Sequence, residues 1–146
     1  MTGNSRFAVS VHILAYLAYR QCAAVPSGEI AASVDTNPVV IRRLLSALVQ
    51  ARIVTAQKGA TGGFALALPP AKISLRDIYR AVEPHPTHGL AHFAPNTQCP
   101  VGAKIQAILE GTFAKVQASM EAELAHVTLA SIHEQLRPVC PGKHKS

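Results

Sequence analysis

At 146 residues, with 49% of them apolar, the chain is sized for one domain or one domain with an extension and has ample carbon for a core. Only 15% of residues are charged, yet the balance is +6, which points to an anionic partner, nucleic acid being the commonest. Arg6 precedes an apolar run broken by His12, Tyr16, Tyr19 and Arg20, no uninterrupted run of about 18 apolar residues occurs, and Cys22, Cys99 and Cys140 are odd in number and irregular in spacing; no secretory leader or membrane span is expected, a secreted disulfide framework is argued against, and a cytoplasmic protein is expected.

Phe7, Val11, Leu14 and Leu17/Ala18 recur at helical spacing and predict a first helix from about Ser5 to Gln21. Ser27 reads as the N-cap of a short helix, Gly28 to Val34, closed by Asp35-Thr36. Asn37-Pro38 supplies a cap and a first-turn proline for a third helix reaching about Ala51. Two helices joined by a tight turn, behind a leading helix, form a helix-turn-helix. At about 100° per residue, Ile41, Leu44, Leu45 and Leu48 share the core side of the third helix. Val39, Arg42, Arg43, Ser46 and Gln50 share the other, a face of cations, hydrogen-bonding groups and one apolar tip suited to a thymine methyl. From Thr36 to Leu75 there is no Asp or Glu, while Arg42, Arg43, Arg52, Lys58 and Lys72 fall inside that span. A solvated basic face with no partner is the bland alternative for such a span.

Next comes Lys58-Gly59-Ala60-Thr61-Gly62-Gly63-Phe64-Ala65-Leu66-Ala67-Leu68. A phosphate cradle of the GxxxxGK[ST] type needs its lysine after the glycines, at the start of a helix; here the lysine precedes them. Phe64, Leu66 and Leu68 alternate as in a strand with one buried face, and Ile53 to Ala56 is β-branched enough to be its partner. The glycines therefore make a hairpin turn, with Lys58 and Thr61 at its tip. An outward Arg-Arg pair on a helix, followed by a hairpin carrying a cation, reads as a winged helix-turn-helix, with the recognition helix in the major groove and the wing against backbone or minor groove.

From Pro100 to about Ala125 a long helix carries Val101, Ile105, Ile108, Thr112, Val116, Met120 and Leu124 at spacings of three and four, widened by Leu109 and Phe113. A helix of about 25 residues spans about 37 Å, more than one small winged domain can cover, so its stripe calls for a second chain. Thr128 reads as the cap of a last helix, Leu129 to Leu136, that folds back on the first domain, and the tail after Pro138 is basic.

Arg6-Phe7-Ala8-Val9, the helix-turn-helix, the wing with its double glycine, and Ile73-Ser74-Leu75-Arg76-Asp77-Ile78-Tyr79-Arg80-Ala81-Val82-Glu83 behind it together resemble the Rrf-type bacterial transcriptional regulators, over nearly the whole chain. Relatives in that family include the regulators of iron–sulfur cluster assembly, cysteine metabolism and the nitric oxide response. The resemblance implies a homodimer bound to double-stranded operator DNA, usually as a repressor. It also raises the question of a two-iron, two-sulfur cluster, which several members hold on three cysteines in the loop before the long helix. Here that region, residues 84–99, contains Cys99 alone, so no iron–sulfur cluster is expected. His85, His88 and His92 with Cys99 make a conceivable sulfur–nitrogen metal site, but loop histidines among prolines are expected to be plain exposed residues. Cys99 is expected to be a buried inert thiol; its position at the start of the long helix leaves open a redox thiol of lowered pKa.

The expected protein is mainly α with a small β-hairpin wing, a winged helix-turn-helix plus a long dimerisation helix. Residues 1–83 form the DNA-binding domain, 84–99 the loop, 100–137 the dimerisation helix and short last helix, and 138–146 the tail. Val39, Arg42, Arg43, Ser46, Gln50, Lys58 and Thr61 carry DNA contacts; Val101, Ile105, Ile108, Thr112, Val116 and Met120 carry dimerisation. The alternatives are a thiol- or metal-responsive regulator switched through Cys99 and the loop histidines and, more remotely, an enzyme with Cys99 as nucleophile and His92 as base, for which the sequence offers no orienting partner or oxyanion loop. The signal and the operator are not legible in the sequence.

Overall fold

In the computed structural model, which describes residues 3–21, 23–83 and 94–136, the elements run α1 (Gly3–Arg20), α2 (Ser27–Val34), α3 (Pro38–Gln50), β1 (Val54–Gln57), β2 (Gly63–Leu66), a 3-10 turn (Pro70–Lys72), α4 (Leu75–Val82), α5 (Pro100–Ala125) and α6 (Leu129–Leu136). Three of the helix starts follow from cap chemistry, those of α3, α4 and α6. Asn37 Oδ1 accepts the Val39 N–H at 2.9 Å, with Pro38 at the first helical position. Ser74 and Asp77 close a reciprocal capping box at 3.1 and 3.0 Å, which launches α4.

The start of α2 differs from the expectation. Ser27 lies inside the helix and Pro26 is its N-cap, with no side-chain cap bond. The cause is tertiary: Val25 exchanges both backbone hydrogen bonds with Phe64 of β2, at 2.9 and 2.8 Å, so the chain enters Pro26 extended. The Pro26 carbonyl then accepts from Glu29 and Ile30. No cap from Ser27 is needed.

The end of α3 is a Schellman closure: Ile53 N–H reaches Leu48 O and Arg52 N–H reaches Val49 O, both at 3.0 Å. The residue that must turn left-handed is Arg52, at φ 61°, where glycine is usual. Arg52→Gly is therefore expected to raise stability by about 0.5–1 kcal/mol, read as a higher urea midpoint at unchanged slope.

Ile13 and Leu14 of α1, Ile30 of α2, Leu45 and Leu48 of α3 and Ile78 of α4 meet in one core, sealed by Leu129 of α6. Ile13 lies off the stripe expected for α1 and is fully buried, because α2, α3, α4, α6 and β2 surround that helix on several sides. The hairpin is antiparallel, with Val54 opposite Leu66 and Gln57 opposite Gly63. Leu68, expected on the strand's buried face, lies beyond it and is 42% exposed. Ala67 N–H on Ile53 O is the last rung in register; pairing stops there because the chain bends at Ala67 and Leu68 and Pro69-Pro70 follow. Thr128 caps α6 through Ser131 N–H at 3.2 Å, as its sequence predicts.

The helix α5 contains no buried residue. Polar groups tie it to α4: Arg80 Nε donates to Glu121 Oε2 at 2.6 Å and Gln117 Nε2 donates to Tyr79 Oη at 3.3 Å, while within α5 Gln117 Nε2 also donates to Glu121 Oε1 at 3.0 Å. Gln117 first, then Arg80, hold the Glu121 carboxyl below the ordinary carboxylate range. A depressed carboxylate stabilises the fold above its unfolded-state pKa and loses that contribution as pH falls through the folded value, so this tie is whole at neutral pH and loosens in acid.

Candidate nucleic-acid interface

Four buried side chains of α3, Ile41, Leu44, Leu45 and Leu48, fix its rotation about its own axis. That leaves Val39, Arg42, Arg43, Ser46 and Gln50 exposed together on the opposite side. The helix is about 20 Å long and, at about 10–12 Å across, matches a major groove about 12 Å wide. No carboxylate occurs from Thr36 to Leu75, so nothing on this stretch of chain repels phosphate.

The hairpin stands beside α3 because β1 leaves directly from the Schellman closure. Its turn places Gly62 N–H on Gly59 O at 3.0 Å, with Ala60 and Thr61 between. A side chain at Gly62 would run into the Gln57 carbonyl, and Gly63 sits at φ 152° against the backbone of Val25 and Pro26. Glycine is required at both positions for different reasons, close approach at the first and conformation plus approach at the second. Lys58 and Thr61 are exposed at the tip. The pair of backbone hydrogen bonds between Val25 and Phe64 fastens the hairpin to the residue pair that opens α2, so wing and helix-turn-helix form one rigid head. A second tie lies behind them: Glu29 of α2 pairs with Arg20 of α1 and accepts the Tyr16 hydroxyl at 2.7 Å. Sequence reasoning passed over this pair and the Arg80–Glu121 pair, since both join residues on different helices.

On α5, Val101, Ile108 and Val116 are 67%, 61% and 50% exposed; Thr112 is exposed, and Ile105 and Met120 are half-buried. The Thr112 hydroxyl is satisfied by Ile108 O at 3.2 Å, which leaves the stripe free of unpaired polar demand at that point.

Cys99 is exposed, correcting the expectation of burial. It is the N-cap residue of α5. Without a capping hydrogen bond, the amides of Gly102 and then Val101 still hold its thiol below the ordinary cysteine pKa. His85, His88 and His92 lie outside the described residues, as do Cys22, Cys140 and the tail from residue 137. Among the described residues no three His, Cys, Asp or Glu side chains converge as a metal site, and no helix is long and apolar enough to cross a membrane.

The Rrf2 family model, described as an iron-dependent transcriptional regulator, matches residues 3–135. YwnA of Bacillus subtilis (strain 168), provisionally designated an HTH-type transcriptional regulator, is 44% identical over 133 residues, 91% of this chain and 98% of its own. A crystal structure of a protein provisionally designated DNA-binding is 42% identical and superposes with a TM-score of 0.71, covering 87% of this chain and 97% of that one. A second, a provisionally designated transcriptional regulator from Lactobacillus plantarum, is 30% identical with a TM-score of 0.79, over 90% and 89%. The iron in the family's description has no matching thiolate set in this chain: residues 84–99 hold one cysteine, and it is exposed at a helix start. Protein purified without oxygen is expected to be colourless, with no sulfur-to-iron charge-transfer band. Stoichiometric iron and sulfide lost on Cys99→Ala would contradict this.

Proposed function

Because the chain belongs to the Rrf2 family of DNA-binding transcriptional regulators, we propose that it acts in the cytoplasm as a homodimeric repressor on a pseudo-palindromic operator, with α3 in the major groove and the wing on backbone or minor groove. The observation that carries this reading is the outward face of α3, where Val39, Arg42, Arg43, Ser46 and Gln50 are all exposed beside a wing carrying Lys58 and Thr61. The exposed stripe of α5 supports the dimer, and two-fold symmetry of the protein calls for two-fold symmetry of the site. No catalytic role is assigned to Cys99, for which the sequence offers neither orienting partner nor oxyanion loop.

Removing the two kinds of cation is expected to fail in two ways. Lys58→Ala weakens operator and random DNA by similar factors and lowers the slope of log K against log salt by about 1. Arg43→Ala costs about 1–3 kcal/mol on the operator and much less on random DNA, since a lost base contact is lost discrimination. Salt titrations of both affinities, after footprinting upstream of the protein's own gene, measure this. An unchanged slope and affinity in Lys58→Ala would remove the wing from the DNA surface.

A further inference from the structure

Val39, Arg43, Ser46 and Gln50 follow one another at intervals of four, three and four residues, which at about 100° per residue keeps them on one ridge of α3, with Arg42 set to its side. The ridge is chemically graded from the N-terminus: an apolar branch, a guanidinium, a small hydroxyl and an amide.

Its first member is unusually well fixed for an exposed side chain. Val39 is 48% exposed, its N–H is held by the Asn37 cap, and a β-branched residue in a helix keeps essentially one χ1 rotamer. Its methyls are thus pre-aimed and lose little freedom on contact. In the major groove the one apolar group a base pair presents is the thymine 5-methyl, and the guanidinium's best match is guanine O6 and N7. Four residues along a helix advance about 6 Å, close to two base steps of about 3.4 Å.

Resting on the reading of α3 as the element in the major groove, we infer that Val39 and Arg43 together determine the half-site, a thymine methyl against Val39 and a guanine against Arg43 about two base pairs away. The exposed face of α3 carries no carboxylate, so it lacks the side-chain acceptor best suited to the cytosine N4 amine, and Arg43 finds guanine by its acceptors alone.

The test uses duplexes selected by the wild-type protein from a randomised pool. Each thymine of the selected half-site is replaced in turn by uracil, which removes only the methyl, and each guanine by 7-deazaguanine, which removes only the N7 acceptor. One uracil position is expected to weaken the wild type about fourfold, the value of one buried methyl, and to leave Val39→Ala unmoved. One deazaguanine position about two base pairs away is expected to weaken it about tenfold and to leave Arg43→Ala unmoved. Both side chains are exposed, and retained binding to random DNA reports that each variant is folded. A selected consensus that is insensitive to every uracil, or equally sensitive in wild type and Val39→Ala, overturns this inference while α3 remains the reading element. A wild type that selects no consensus at all overturns the interface itself.

Discussion

Gly63→Val is expected to destabilise the protein by about 2–5 kcal/mol and to abolish tight binding to operator and random DNA alike. A side chain there would begin 2.5 Å from the Val25 carbonyl carbon and oxygen and 2.8 Å from Pro26 N, at a φ of 152° that branched residues avoid. All three neighbours are backbone, so no rotamer change relieves the overlap. The only escape is to part β2 from Val25, breaking the two bonds that fasten the wing to the start of α2. Gly28→Ala is the control, since nothing lies within 4 Å of a side chain at that exposed first turn. Urea unfolding and DNA titration of the pair measure the difference. Equal midpoints would show that the hairpin re-seats freely and that the rigid head is not needed.

Ile108→Glu and Val116→Glu are expected to weaken self-association a hundredfold or more while leaving the single chain folded. Each places a carboxylate on the α5 stripe where, in a two-fold seam, it faces its own copy without a cation, a burial costing about 3–5 kcal/mol. Both positions are exposed within one chain, so helix content should hold. Operator affinity should fall with the dimer, because each half-site contact is then made alone. Sedimentation and circular dichroism on the same samples separate loss of assembly from loss of fold. A wild-type chain that sediments as a monomer at micromolar concentration would discard the seam.

What could be read in advance divides by range. Asn37-Pro38, Ser74 with Asp77, and Thr128 announce three helices because a cap is a bond between near neighbours. The rotation of α3 was equally legible, since four leucine and isoleucine positions leave little choice of core side. The misses came from contacts distant in sequence. The start of α2 is set by Phe64, over thirty residues on. The burial of Ile13 needs five elements around one helix. Cys99 was expected inside because free cysteines favour interiors, yet its place at the end of α5 lies away from the core. The partners of Glu29 and Glu121 required the fold first. The candidate DNA face sits at the legible end of this range, being one side of one helix and one turn.

Leu129 is wholly buried in the same core as Ile13, and backbone bonds from Leu75 to Val127 and from Leu129 to Ile73 stitch the last helix beside the turn before α4. The chain thus leaves the core along α5 and returns to close it. On the ribosome, the helix-turn-helix and wing emerge well before residues 127–136, and until those arrive α1 and Ile73 face water where Leu129 belongs. Closure of the core therefore waits for synthesis to pass the whole of α5, so a nascent chain seals its first helix only after the segment proposed to pair with a second copy has already been made.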